Sequence, residues 1–221
     1  MKSNRHLQLA GFLSTSLILT GAASAAQPVA ITNAGFENPA LADGSIQNGA
    51  VPGWSAFNGA SISVLDPSSS LDLTSEAPEG ENVGVVVSNA SENGLSQILG
   101  SPFQADAGYS LTLKVANTKF TSGFPGYRIQ LLANGTVLAE EDNSQTIAED
   151  SVIACTVNYT YDAGLHSSLV GQPLEVRLLS KGLQVGEEVA FDEVQLSATL
   201  GSPVANPGQG PYIREPQWTA L

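Results

Sequence analysis

Apolar residues in this chain recur at every second position, and Gly, Pro, Asn, Asp and Ser interrupt them at short intervals. A period of two puts side chains on opposite faces of an extended strand, whereas a helix needs about 3.6 residues per turn. The pattern predicts strands near 28–33, 60–65, 82–88, 94–99, 108–118, 126–133, 136–140, 152–161, 173–180 and 188–198. Tyr109, Leu111, Leu113 and Val115 share one side of their strand, as do Ile129 with Leu131 and Val176 with Leu178. Asn134-Gly135 predicts a tight hairpin, because both residues tolerate positive φ. Many short strands with this turn spacing predict an all-β fold: an antiparallel β-sandwich of two packed sheets, a jelly roll.

Both ends differ in character from this middle. Residues 1–26 read as a secretory signal peptide: Lys2 and Arg5 come first, Leu7 to Gly21 is mostly apolar, and Ala23-Ser24-Ala25 has the small-x-small cleavage pattern. The stretch is too short and mixed to remain as a membrane span. The expectation is export to the periplasm or the medium, with no stable membrane insertion. Residues 27–200 form one sandwich domain, and 201–221 a Pro/Gly-rich tail carrying Tyr212 and Trp218.

Charge and residue counts remove whole classes of function. The formal net charge is −13, and losing Lys2 and Arg5 with the signal takes it to −15. Phosphate binding needs clustered Lys and Arg, so nucleic acid is excluded as a partner, whereas an excess of acid suits cation binding. Cys155 is the sole cysteine, inside the alternating run 152–157, and reads as buried packing. His166 is the sole histidine after the signal and falls in a polar stretch that reads as a loop. Ser-His-Asp triads, Cys-His dyads and His-rich zinc sites do not fit these counts.

Carboxylates and rings remain. Asn33-Ala34-Gly35-Phe36-Glu37 closes the first strand, and Phe191-Asp192-Glu193-Val194-Gln195-Leu196 lies in the last. Chain ends commonly lie side by side in a jelly roll, which would bring Glu37 near Asp192. Two carboxylates in contact repel unless a cation or proton intervenes, and hard oxygen donors suit Ca²⁺. Glu37 and Asp192 are therefore the candidate calcium ligands. Asp192 alternates in phase with Val194 and Leu196, which read as core, while Glu193 faces the other way. A charge so placed must bind metal, accept hydrogen bonds or stay protonated. Structural ligand and general acid are both open. Val51-Pro52-Gly53-Trp54 presents Trp54 either as a cap on the core or as a cleft wall, with Phe57 three residues on. Phe120 and Phe124 flank Thr121-Ser122-Gly123 between two strands and, with Trp54, read either as an apolar, ring-lined pocket or as hydrophobic plugs at the sandwich ends.

These segments, with Pro78-Glu79-Gly80-Glu81-Asn82-Val83-Gly84, resemble jelly rolls of the carbohydrate-binding-module type. Across its length the chain also resembles the Stig cyclases of cyanobacteria, the hapalindole and fischerindole cyclases. That resemblance implies a calcium-dependent, dimeric enzyme acting on a geranylated isonitrile-vinyl indolenine. It implies a Cope rearrangement, 6-exo-trig cyclisation, then electrophilic aromatic substitution or proton loss. The family's C-terminal catalytic aspartate best matches Asp192, and Trp54 and Phe120 best match its pocket aromatics. The assembly implied is a homodimer or a heteromer with related cyclases. The family places a tyrosine near 82–88, where this chain reads Asn-Val-Gly-Val-Val-Val-Ser. A glycan-binding module without catalysis and a structural surface protein are the alternatives that the residues leave standing.

Overall fold

The computed structural model describes residues 25–70, 72–119, 123–182 and 184–201. Nearly all of the signal segment, all but the first residue of the tail, and Phe120 lie outside the described residues. Twelve strands follow in order: β1 (Gln27–Val29), β2 (Ile46–Asn48), β3 (Ser55–Phe57), β4 (Ser61–Leu65), β5 (Val83–Asn89), β6 (Asn93–Pro102), β7 (Ala107–Asn117), β8 (Tyr127–Ala133), β9 (Thr136–Asp142), β10 (Ser151–Thr160), β11 (Pro173–Ser180) and β12 (Val185–Leu200). A seven-stranded antiparallel sheet runs β10-β7-β12-β5-β4-β2, with β1 also paired to β12, and a five-stranded one runs β3-β6-β11-β8-β9. Among the described residues no helix is long and apolar enough to cross a membrane.

The two-residue period does what it predicts. Tyr109, Leu111, Leu113 and Val115 of β7 face Ile129, Leu131, Val176 and Leu178 of the other sheet within one core. Each such side chain contributes about 1.5–3 kcal/mol by leaving water. At the β8–β9 turn Asn134 and Gly135 take φ of 47° and 75°, the positive values a tight hairpin needs.

Three details differ from the expectation. β1 ends at Val29, because residues 32–35 turn. β2 and β3 are too short to show periodicity. The stretch around His166 is a short helix, Ala163–His166, capped by Asp162, whose carboxylate accepts from the Gly164 and Leu165 amides. Capping made this polar segment helical although it has no apolar stripe.

A second, smaller core lies on the outer face of the seven-stranded sheet. Leu65, Val83, Val85, Ala116 and Ala190 project outward and are covered by Leu73 and Ala77 of the 66–82 segment. This explains why β5 reads as an unbroken apolar run: Val83 and Val85 face the cover, and Val86 faces the main core. The cover is tied down at Asp72, whose backbone carbonyl accepts from the Lys119 amide at 2.8 Å, and at Thr74, whose amide donates to the Asp150 carboxylate at 2.7 Å.

Candidate functional site

β12 is paired with β5 as far as Phe191, opposite Gly84, and with β1 from Leu196, opposite Val29. Between those points its edge is open, and the Asn33–Glu37 turn fills the gap. The Val194 amide donates to the Ala34 carbonyl at 3.0 Å. Phe36 turns inward, fully buried, and its ring lies so close to Gly84 that a Cβ there would collide with it. Gly35 and Glu37 stay on the outer side. The beginning and end of the domain therefore meet, as expected of a jelly roll.

Asn33 holds this plug in shape. Its side chain donates to the Asn38 and Pro52 carbonyls at 2.9 and 3.0 Å and accepts from the Asn38 amide at 3.0 Å. Asn33→Ala removes all three bonds, and we expect a loss of about 1–3 kcal/mol, read as a lower Tm in a thermal melt. An unchanged Tm would mean that the turn is held by its neighbours alone.

Asp192 is buried, but not for the reason its phase suggests. A bulge separates Asp192 from Gln195 in the pairing of β12 with β7, and Glu193 takes φ 51° there. The extra residue reverses the alternation. Val194 and Leu196 are core residues, whereas Asp192 stands opposite Lys114 on the outer face, beyond Ala190. It is 1 % exposed because the 66–82 cover lies over it. The Glu79 amide donates to Oδ2 at 2.8 Å and the Glu193 amide to Oδ1 at 2.6 Å. Glu193 is partly exposed and lies 3.9 Å from the Lys114 ammonium.

Three carboxylates gather at this junction. Glu37 Oε1 accepts from the Glu81 and Asn82 amides, each at 3.0 Å. The Glu79 carboxylate packs against Gly35, where a Cβ would also come to 3.8 Å from Asp192 Oδ1. Burial, opposed by the two amide bonds and reinforced by the charges of Glu79 and Glu37, pushes the Asp192 pKa up to about 8. Among the described residues no group of three or more Asp, Glu, His or Cys side chains is placed to hold a metal ion. The donors are nonetheless all oxygens, and none of the three carboxylates is in an ion pair among the described residues. That set fits a hard cation such as Ca²⁺. Glu79 escaped the sequence reading; its signal was its place in the acidic Pro78–Val83 run, visible only once that run was known to lie over β12.

Three depressions line the outer face of β7 beside this junction. One of about 450 Å³ is lined by Ala34, Val194, Gln195 and Thr112 among others. One of about 220 Å³ is lined by Thr112, Lys114 and Glu193. One of about 370 Å³ is lined by Lys114, Ala77 and Pro78. Shared walls at Thr112 and Lys114 make them successive parts of one trough. None of the described side chains lining it is aromatic.

The rings named from sequence are elsewhere. Trp54 is 6 % exposed and stacks on Phe36 with centroids 5.5 Å apart, its indole N–H donating to the Asn33 carbonyl at 3.1 Å. Phe36 points to the main core and Asp192 away from it, so the sheet lies between the Trp54–Phe36 pair and that carboxyl. Phe124 is half-buried at the edge of the core, 6.4 Å from the Tyr127 ring. Cys155 is buried, as its alternating run implied.

Two packed antiparallel sheets, closed by first and last strands that meet at a knot of carboxylates, define a jelly-roll sandwich with its polar chemistry at the joined chain ends. Residues 27–197 match the HpiC1-like family, described as HpiC1 cyclase, and the chain belongs to that family. A cyclase from Fischerella sp. TAU is 30 % identical, covering 79 % of this chain and 98 % of that one, with a TM-score of 0.72. The Stig cyclase Fisc from the same organism, in complex with (3Z)-3-(1-methyl-2-pyrrolidinylidene)-3H-indole, is 29 % identical over 80 % and 100 % of the two chains, at 0.74. A Fischerella sp. TAU cyclase in complex with 4-(1H-indol-3-yl)butan-2-one is 30 % identical over 79 % and 99 %, at 0.71. No curated protein matches the chain.

Proposed function

We propose that this cyclase acts on an indole-bearing terpenoid, a geranylated isonitrile-vinyl indolenine, and folds it into a hapalindole- or fischerindole-type product. The sequence is Cope rearrangement, 6-exo-trig cyclisation and closure by electrophilic aromatic substitution. The observation that carries this reading is that indole compounds are bound in Fischerella relatives that match this chain over nearly their whole length.

The proton source in this reading is Asp192. A buried carboxyl held among like charges keeps its proton near neutral pH, and protonating the indolenine nitrogen weakens the bond that the Cope step breaks. The carboxylate left behind is received by the Glu79 and Glu193 amides, already placed at 2.8 and 2.6 Å. Asp192 is 1 % exposed beneath the cover, and the trough over β7, walled by Ala77 and Pro78, is the approach to it that this reading uses. Holding the geranyl chain in one fold removes part of the entropic barrier. Trp54 and Phe124 do not line that trough, so ring contact to the folded chain is assigned to Phe120, by resemblance to the family. Cation–π attraction to developing positive charge is worth about 0.5–2 kcal/mol per contact.

Glu37 and Glu79 would hold calcium while Asp192 carries its proton, and Asp192 would join them as a ligand once it has given that proton up. The ion supplies positive charge to offset theirs and ties three chain segments together. A cation bound only by the folded state adds about 2.7 kcal/mol at a hundredfold excess over Kd. Chelation is therefore expected to lower Tm by roughly 5–10 °C. A melt unchanged by chelator, starting from saturating calcium, would remove the metal from this reading. The same reading has the protein exported and assembled as a dimer. Its direct test is incubation with the indolenine, with and without calcium, followed by product analysis; recovery of unchanged substrate in both would overturn it.

A further inference from the structure

A cluster of rings that the proposed reaction does not use lies where β6 ends, β7 begins and β10 ends. Phe103 packs on Tyr109, Tyr159 and Tyr161 at centroid distances of 5.8, 5.7 and 5.9 Å. One of these rings opens on a cavity. Tyr109 lines a space of about 230 Å³ between β1 and the end of β6, walled by Pro28, Val29, Leu174, Ala198 and Leu200. Its polar walls are Gln27, Ser101 and Gln104, and no charged side chain lines it.

Tyr109 is 3 % exposed, and its hydroxyl accepts from the Gln104 amide at 2.9 Å. Gln104 also lines the cavity, so this hydroxyl lies at its wall. A phenol has a proton to give as well as lone pairs to receive with. Three tyrosines are buried among the described residues: Tyr109, Tyr127 and Tyr159. Tyr127 donates to the Glu141 carboxylate at 3.1 Å. Tyr159 accepts from the Asp162 amide and can pass its proton to His166 Nδ1, 2.9 Å away. Tyr109 alone has no acceptor among the described residues. Burial pushes its pKa up, so the proton stays on. A buried donor without an acceptor is a standing cost, and an oxygen placed in the cavity would remove it.

We infer that this cavity binds a small neutral molecule, aliphatic and of monoterpene size, that offers one oxygen acceptor to the Tyr109 hydroxyl. Its volume lies below the roughly 300–1,000 Å³ of a drug-sized site, so it suits one compact ring system or a short branched chain. The aliphatic walls take the hydrocarbon body. An uncharged lining leaves nothing to neutralise a phosphate or a carboxylate, which excludes anionic ligands. β1 is the partition from the trough, since Pro28 and Val29 line both spaces. None of Glu37, Glu79 and Asp192 lines the cavity, so the inference stands whether or not the reaction proposed above takes place.

The test is calorimetric titration of the full chain with camphor, a compact monoterpenoid ketone, and one equivalent per chain is expected. Tyr109→Phe keeps the ring and removes the donor. Its affinity for camphor is expected to fall about 2- to 10-fold, the worth of one hydrogen bond. Ser101→Leu fills the cavity from a half-buried wall position and is expected to abolish binding. Its melt stays that of the parent, and this keeps the test decisive if Tyr109→Phe does not fold. Asp192→Asn is expected to bind camphor as the parent does. A parent chain that binds no camphor would overturn the inference, as would unchanged affinity in Ser101→Leu and in folded Tyr109→Phe. Loss of binding in Asp192→Asn with retention in Ser101→Leu would place the ligand in the trough and overturn it equally.

Discussion

Asp192→Ala is expected to lower kcat by about 10²–10⁴-fold at saturating calcium, the usual worth of a positioned general acid. The variant deletes the buried carboxyl whose pKa is pushed up to about 8, and no other described acid in the junction is as deeply buried. It also leaves the Glu79 and Glu193 amides without their acceptor, a cost of about 1–3 kcal/mol for each buried donor that water does not reach. Asp192→Asn separates the two effects. Its amide oxygen serves one of the two N–H donors, but its NH₂ meets the other, so stability is only partly restored and the proton is not. Turnover of the indolenine and Tm, measured on both variants, form the check. Full turnover in Asp192→Ala would leave Asp192 with a structural role alone. Lost turnover together with lost calcium affinity in both variants would show that ligation is its contribution.

The largest effect on stability is expected at Phe36. Phe36→Ala empties a fully buried site between Trp54 and the glycine of β5. Truncating a buried Phe costs about 3–5 kcal/mol, part of it the stacked pair with Trp54, worth roughly 0.5–1.5 kcal/mol. In a domain of this size that is a fall in Tm on the order of 10 °C. The damage extends to the carboxylates, because Phe36 anchors the turn that places Glu37 beside the Glu81 and Asn82 amides. Calcium affinity should therefore fall in Phe36→Ala although no ligand is changed. A melt within 2–3 °C of the parent, roughly one kcal/mol by the same scaling, would show that Trp54 and Gly84 close the gap unaided.

Much of the molecule was legible because strand formation writes itself locally. Alternation along β7 and β8, and the Asn134-Gly135 turn, depend on near neighbours in the chain, and ten strands could be placed within a few residues. β2 and β3 could not, since three residues carry no period; they pair because β4 and β6 offer them edges. The helix at Ala163–His166 was hidden for a similar reason, being made by one capping carboxylate.

The site divides along the same line. Glu37 and Asp192 stand out in the sequence as acids in apolar company, and that they meet follows from the topology expected of a jelly roll. How Asp192 is buried did not follow. Its apparent phase with Val194 and Leu196 is interrupted by the bulge at Glu193, a backbone event with no compositional mark, so it faces the 66–82 cover and not the sandwich core. Glu79 joins it only because the cover folds over β12, more than a hundred residues away in the chain.

From the residues alone came the class of fold and the closing of its two ends, which sets Glu37 and Asp192 in one neighbourhood. Tertiary structure decided which face each acid occupies, which amides hold it, and that Trp54 packs inward against Phe36 with the sheet between it and Asp192. The reason is physical: side-chain alternation is a property of one strand. Burial of a charge depends on every segment packed over it, and a single inserted residue reverses the face it seeks.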